Sequence, residues 1–352
     1  MNTEIRINGT APAWPMLLGS SPVFYQPENP DSLGSVSYSI ISYSGSGKSS
    51  IAWEVLIDAG HNSVPFLLNH GNRIPDAIIL THGHPDHVLG VDWIVQSHHF
   101  RNIKLKHSYP LYCTRGVWDT LMKTYSYIEP YIRYTELIPG KKQRIAEAPG
   151  LQVTPYPVFH GKGALGASML FFESDEKHQK KLLISGDMLC PLLQKKSITA
   201  LAKAEILFID SNNRFPLPDS NHISFARSIN KDEEVAKAVQ EWLQVNKLED
   251  LISPHLGNDE KSEIRRYFDE FLSDWQDIRQ IPYTILDFLH LIKIPQVNLV
   301  HYWGVYDQIL YDKELLDASE LEQWANELAL KDGLEDVRIK VPQSGDSFSL
   351  SE

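Results

Sequence analysis

Apolar residues recur along the chain in short runs separated by turn residues, and the length and period of each run predict its element. "VSYSIISY" (36–43) and "AWEVLIDAG" (52–60) read as strands flanking the turn "SGSGKSS". "AIIL", "LYC", "LQVTPYPVF", "SMLFFE", "KLLISGD" and "EILFID" read as further strands. Helical period appears around Trp118 to Tyr125, in "EEVAKAVQEWLQV" (233–245) and in "EIRRYFDEFL" (263–272). Strands in two groups, each followed by helices, predict sheets covered by helices in a layered α/β or α+β architecture. After about residue 285 the pattern changes to a strand "VNLVHYW", a helix "SELEQWANELALKDG" and a last strand "VRIKV". Ser319 and Glu322 have the spacing of a capping box, and Gly333 is placed to stop the helix. A main domain over 1–284 and a C-terminal appendage over 285–352, packed on it, are therefore expected.

Composition narrows the function classes. The 352 residues are 42% hydrophobic and 22% charged, which is ordinary for a globular protein rather than a disordered one. No run of about 18 apolar residues could span a bilayer, and the N-terminus lacks the basic start and apolar stretch of a signal peptide. A cytoplasmic location is expected. Two cysteines, Cys113 and Cys190, imply neither a disulfide framework nor a thiolate cluster, so any metal must be held by histidine and carboxylate. A formal charge of −12, from 33 Lys+Arg against 45 Asp+Glu, works against generic attraction to nucleic acid. The basic stretches "KLKH" (104–107) and "GKKQR" (140–144) are short and read as solvated loops. "GSGKS" imitates half of a phosphate-binding loop, but Ser42 stands where the first glycine is required and no helical pattern follows, so a hairpin turn is expected.

The densest chemistry is "THGHPDHVLG" (81–90), which follows the apolar run "AIIL". A strand ending at Leu80 lets the following loop turn His82, His84, Asp86 and His87 toward one cavity, with Gly83 and Pro85 suited to the tight path. Neutral imidazole is a common metal ligand near neutral pH, and three in six positions with an interleaved aspartate point to a metal site.

His82-Gly-His84-Pro-Asp86-His87 resembles the H-x-H-x-D-H signature of the metallo-β-lactamase superfamily. That resemblance implies an α+β fold, a four-layer αββα sandwich with two metals at one edge, and it covers roughly residues 5 to 260. It implies further ligands after later strands: His160 in "YPVFHG", Asp187 in "LLISGD" and His255 in "LISPHLG". By resemblance, His82, His84 and His160 would hold one ion, Asp86, His87 and His255 the other, and Asp187 would bridge them. Seven histidine and aspartate ligands without a thiolate suit two divalent ions, Zn²⁺ or Mn²⁺. Two such ions lower the pKa of a shared water and clamp the oxygens of a displacement, which implies hydrolysis.

Within the superfamily, "INGTAPAWP" is similar to the opening of the phosphoribosyl cyclic phosphate phosphodiesterases, which are relatives of the tRNA-processing RNase Z. "LFIDSN" followed by "NHISFARSI" resembles the segment in which those enzymes carry an extra histidine, here His222. His222 is expected to contact a phosphate oxygen or protonate the leaving alkoxide. His222 and Asp86, itself a ligand, are the residues assigned to catalysis. RNase Z enzymes usually place a carboxylate two residues after this histidine, where this chain has Ser224. Asp210 is a candidate to hydrogen-bond His222 or a ligand imidazole, or else simply to make a strand-end turn, and Asp58 is expected to orient the ligands. His61, His70, His98, His99 and His107 match no motif and are expected to be structural or exposed. His301, amid aromatic residues, is expected to pack in the appendage core rather than form a lid.

The expected activity is that of a metal-dependent hydrolase, a phosphodiesterase for a small phosphodiester, cyclic ones included, with a lactonase or thioesterase as the alternative on the same metals. A binding or biosynthetic protein without hydrolysis is the third reading. The expected partner is a small-molecule phosphodiester, with a homodimer as the assembly considered; nucleic acid and membrane are not expected.

Overall fold

Strands that are apolar on both faces cannot be satisfied by a single covered side, and this dictates a layered structure. In the computed structural model, residues 2–12, 34–45, 50–104, 107–161, 163–176, 178–216, 221–227, 237, 241, 258–275, 280–302 and 316–351 are described. The first sheet holds β1 (Asn2–Gly9), β2 (Ser37–Tyr43), β3 (Ile51–Ile57), β4 (Ala77–Ile79), β5 (Tyr109–Cys113) and β6 (Ile132–Glu136). The second holds β7 (Gln143–Arg144), β8 (Leu151–Phe159), β9 (Ser168–Ser174), β10 (Leu182–Ile184), β11 (Cys190–Pro191), β12 (Ile206–Asp210), β13 (Gln296–Val300) and β14 (Arg338–Lys340). A last strand, β15 (Ser347–Ser349), returns to pair antiparallel with β1 at the edge of the first sheet.

Alternation along single strands shows the layers. Ile206 and Phe208 of β12 face Tyr38, Val55, Ile57 and Ile79 of the first sheet, and this contact forms the central core. Leu207 and Ile209, on the other face of the same strand, pack outward against helices. Those helices include α5 (Lys195–Leu201), α7 (Ile285–Ile292) and α8 (Ala318–Lys331); α6 (Asn258–Asp274) covers Phe159, Leu189 and Leu192 with Phe268 and Phe271. On the far side of the first sheet, Leu56, Ile78 and Leu111 are covered by α1 (Ser63–Asn69), α2 (Pro85–Val88), α3 (Val91–Arg101) and α4 (Arg115–Tyr125). The result is the expected αββα sandwich.

β2 and β3 pair antiparallel, and Ser44 donates its N–H to Ser50 across the turn, as a hairpin requires; residues 46–49 lie outside the described residues. The period around 263–272 is helical within α6, whereas 233–245 lies outside the described residues except for Lys237 and Glu241. The capping box belongs to Asp317 and Glu320, two residues earlier than Ser319 and Glu322, because the aspartate carboxylate accepts the Glu320 N–H and the Glu320 carboxylate accepts the Asp317 N–H. Glu322 instead reaches the backbone N–H of Val341 and the ammonium of Lys340.

The boundary at 284/285 needs correction. β13 lies inside the second sheet, in a parallel ladder with β12 on one side and β14 on the other. Val297 and Leu299 join the outer core beside Leu207, and Val300 joins the core between the sheets. A strand with apolar residues on both faces is stable only as an interior strand, so 285–352 completes the sandwich instead of sitting on it. Among the described residues no helix is long and apolar enough to cross a membrane.

If β13 is part of the common core, Leu299→Ala should cost roughly 2–5 kcal/mol, as should Leu207→Ala in β12. Urea denaturation measures both, and a Leu299→Ala loss below about 1 kcal/mol with Leu207→Ala fully destabilising would restore the appendage.

Candidate metal centre

Parallel strands end at one edge of a sheet, and this edge collects the chemistry. β3 and β4 run parallel in the first sheet, and β10, β12 and β13 run parallel in the second. Asp58 follows β3, Thr81 and His82 follow β4, Asp187 follows β10, Asp210 ends β12 and His301 follows β13. His160 follows β8 at the same site. The ladder partners Asp210 with Val300, so His301 emerges beside the Asp210 carboxylate.

Two backbone positions make the convergence sterically feasible. Gly60 passes so close to the chain that a Cβ there would lie 1.4 Å from the Asp86 carbonyl oxygen. Gly186 takes φ +58, and a Cβ there would lie 2.9 Å from the Thr81 Cβ. Asp58 and His301 themselves adopt φ of 56° and 59°, the left-handed region that costs a side-chain-bearing residue energy and is held only by surrounding structure.

Hydrogen bonds fix the imidazole tautomers. The Asp58 carboxylate accepts the backbone N–H of Thr81 at 2.8 Å, its hydroxyl at 2.7 Å and the Nδ1–H of His87 at 2.8 Å. With its own proton given to Asp58, the Thr81 hydroxyl oxygen can accept Nδ1–H of His82, 3.1 Å away. His160 donates Nδ1–H to the carbonyl of Asn221 at 2.8 Å. In each of the three rings the Nε2 lone pair is thereby left for ligation. Nε2 of His82 and of His87 are buried without a hydrogen-bond partner among the described residues. A buried polar atom without a partner is costly, and a cation would supply one.

The ligand atoms fall into adjoining groups. His82, His84 and His160 form one, and Asp86, His87, Asp187 and His301 the next; within each, one ligand atom from every residue lies within 4.8 Å of the others. Asp210 and His222 form a third group with Asp187 and His301. Oδ2 of Asp187 lies at the junction, 3.8 Å from Nε2 of His82, 3.8 Å from Nε2 of His160, 3.4 Å from Nε2 of His87 and 3.4 Å from Nε2 of His301. Six of the seven expected ligands are thus brought together. The seventh, His255, lies outside the described residues.

His301, expected to serve in packing, stands in the second group, with Nε2 3.5 Å from Asp86 and Nδ1 3.4 Å from Asp210. Its signal in the sequence is a histidine directly after the apolar run "VNLV", the same signal that singles out His160 and His255. Asp210 receives Nδ1–H of His222 at 2.7 Å, so the carboxylate absent at Ser224 is supplied by a strand end instead. The rings of His222 and His301 stack with centroids 5.1 Å apart. His84 and His222 are the partly exposed members of the set and form its rim. Of the other histidines, His70 stacks on Phe66, and His61, His98, His99 and His107 are not members of these groups.

Burial and charge divide the imidazoles into two kinds. Burial depresses the basicity of His82 and His84, and it takes His160 down to about 3, so these three are neutral donors. Burial acts the same way on His87 and His301 but is outweighed by carboxylates. Asp187, Asp86 and Asp58 raise His87 well above its usual range, and Asp187, Asp210 and Asp86 raise His301 to about 10. Asp187, though burial opposes its ionisation, is held well below the usual carboxylate range by His301, His87 and His82. Neutral imidazoles beside a charged, buried carboxylate cluster are the donor set that a pair of divalent cations requires.

The sequence matches the family model described as a beta-lactamase superfamily domain over residues 54–242. No curated protein sequence matches it. Among solved structures, a new diphosphatase from the PhnP family is similar at 17% identity, with 100% of this chain and 99% of that chain covered and a TM-score of 0.59. The metallo-beta-lactamase fold protein YhfI from Bacillus subtilis is similar at 13% identity, covering 99% and 100%, with a TM-score of 0.56. Zn(2+)-bound PqqB from Methylobacterium extorquens is similar at 13% identity, covering 98% and 99%, with a TM-score of 0.53. Identities this low speak for the fold alone, but the family model spans more than half of the chain, and its range contains six of the converging ligands; the chain belongs to the beta-lactamase superfamily.

Proposed function

We propose that the protein is a dinuclear metal-dependent phosphodiesterase acting on a small phosphodiester, cyclic ones included. The observation that carries the reading is His222, partly exposed at the rim, adjoining the ligand groups and held by the buried carboxylate of Asp210 at 2.7 Å. His82, His84 and His160 would hold one ion and Asp86, His87 and His301 the other, with Asp187 between them. When bound, two Zn²⁺ or Mn²⁺ ions would lower the pKa of a shared water and offset charge on the oxygens of a displacement.

The chain's own residues supply the remainder. Asp58, directly and through Thr81, orients His87 and His82. With Nδ1 engaged by Asp210, the other nitrogen of His222 is the one that meets substrate. There it gives a proton to the departing alkoxide, and Asp210 offsets the charge on the ring while it is protonated. A phosphodiester has a poor leaving group, so a positioned acid matters more for it than for an activated carbon ester. The likeness of "INGTAPAWP" and "NHISFARSI" to the cyclic-phosphate phosphodiesterases supports the same reading, as does the shared fold of the PhnP-family diphosphatase.

The metal-loaded protein should hydrolyse bis(p-nitrophenyl) phosphate, with a lactone panel turned over poorly. His222→Ala should lower kcat/KM for the phosphodiester by about 10²–10⁴-fold with metal content unchanged. Full retained activity in that variant, or a preference for lactones or thioesters that survives it, would move the assignment to hydrolysis at carbon.

Metal analysis by plasma mass spectrometry tests the ligand set separately. After expression with added Zn²⁺ or Mn²⁺, the wild-type protein should carry about two ions per chain. His301→Ala should carry about one, and His255→Ala should match wild type. The reverse result for the two variants would return the last ligand to His255.

A further inference from the structure

A cavity of about 1210 Å³ opens at the edge of the first sheet opposite the metal centre. The residues around it precede the strands instead of following them: Asp76 stands before β4, His107 and Ser108 before β5, and Ile132 begins β6. β3, β4, β5 and β6 run parallel, so the ligand groups gather at the far ends of the same strands. The chain from Asp76 in the cavity to His82 at the metal centre is six residues long, roughly 20 Å when extended.

Positive charge is in excess here. Arg73, Arg101 and Arg133 line the cavity against two carboxylates, Asp76 and Glu147. Both carboxylates are already engaged. Asp76 accepts the Arg73 guanidinium at 2.7 Å and the backbone N–H of Glu54 at 2.8 Å. Glu147 accepts the guanidinium of Arg133, and the Tyr112 hydroxyl at 2.6 Å. Arg101 is left over, and among the described residues neither it nor His98 or His107, which line the same cavity, has a carboxylate partner. Burial and the imidazoles of His107 and His99 make His98 harder to protonate, as befits a place short of counter-charge. Nη1 of Arg73 and Nδ1 of His98 are buried without a hydrogen-bond partner among the described residues. The end of α3 does not need these cations, because the backbone N–H of Asn102 already satisfies the carbonyls of His98 and His99. In a chain of formal charge −12, such a local excess favours an anion.

We propose that this cavity binds a small organic phosphate, its phosphate group on Arg101, His98 and His107 and a ring-shaped body against Ile74, Pro75 and Ile132. A guanidinium offers paired donors that fit phosphate oxygens, and imidazole N–H groups add to them. The apolar side chains of the wall give an organic ring a surface that inorganic phosphate would leave bare. No metal-centre residue lines the cavity, so the site is independent of the proposed hydrolysis.

Hydrogen exchange read by mass spectrometry on the full-length, metal-loaded protein locates the ligand. Phenyl phosphate should slow exchange across residues 71–76 and 98–104, and the concentration at half-protection measures affinity at this cavity alone, whatever the metal centre binds. Arg101→Gln should raise that concentration about tenfold and Arg101→Gln with His107→Gln about fiftyfold, since both side chains are exposed and their loss leaves the fold intact. Arg266→Gln, a change outside the cavity, should leave it unmoved. Inorganic phosphate should protect the same residues about tenfold more weakly, and phenol not at all. Turnover of bis(p-nitrophenyl) phosphate should be the same in all these variants, so failure of either assignment leaves the other standing. No protection at up to about 10 mM phenyl phosphate, an unchanged midpoint in the double variant, or inorganic phosphate binding as well as the ester, which marks an adventitious ion only, would each overturn the proposal. So would a Zn²⁺ ion captured by His98 and His107 in place of the ester.

Discussion

The buried carboxylate of Asp187 is the constraint around which the site is built. Its Oδ2 has Nε2 of His82, His87, His160 and His301 within 3.8 Å and Nδ1 of His222 at 3.9 Å. An isolated charge so deep in a protein is costly, and it persists only where positive charge answers it. Asp58, Asp86 and Asp210 are buried nearby, which multiplies the demand. His87 and His301 meet it by holding protons more tightly than usual, while burial keeps His82, His84 and His160 neutral. Divalent cations would replace those protons and supply a partner for Nε2 of His82 and His87.

The architecture follows from the need to bring these groups to one place. No single element could supply them, since a strand end presents one or two side chains. Parallel pairing of β10, β12 and β13 brings three strand ends to the same edge, and β3 and β4 bring two more from the facing sheet. The pairing of β13 with β12 therefore serves two purposes. It completes a core apolar on both sides, and it sets His301 beside Asp210.

What the sequence reveals depends on how local the determining interactions are. His82, His84, Asp86 and His87 are legible because four ligands crowd into six positions, and Asp187 and His160 because each follows an apolar run. His301 was obscured by the same rule, since "LISPHLG" and "VNLVHYW" offer equal local signals. Only the ladder between β12 and β13, across some ninety residues of chain, gives His301 its place. The capping box shows the problem at smaller scale. Ser319 and Asp317 both head plausible boxes, and the choice falls to Asp317 because Glu322 is engaged by Val341 and Lys340 of the following strand region. Asp58 was legible as an orienting group, but its use of Thr81 to reach His82 depends on two strands lying side by side.

Asp210 ties the candidate ligand groups to His222, the residue on which the proposed phosphodiester reading rests. Its Oδ2 holds His222, and its Oδ1 lies 3.4 Å from His301. Burial raises the cost of ionising Asp210, yet His222 keeps its carboxyl below the usual range, so the aspartate is charged where both imidazoles can use it. A histidine at the rim for reasons of solubility alone would not need a buried anion. The shared carboxylate makes His222 and His301 parts of one unit, so under the proposed reading a change in coordination at His301 would be felt at His222. A fold that serves many chemistries differs among them in such attachments to a common ligand frame.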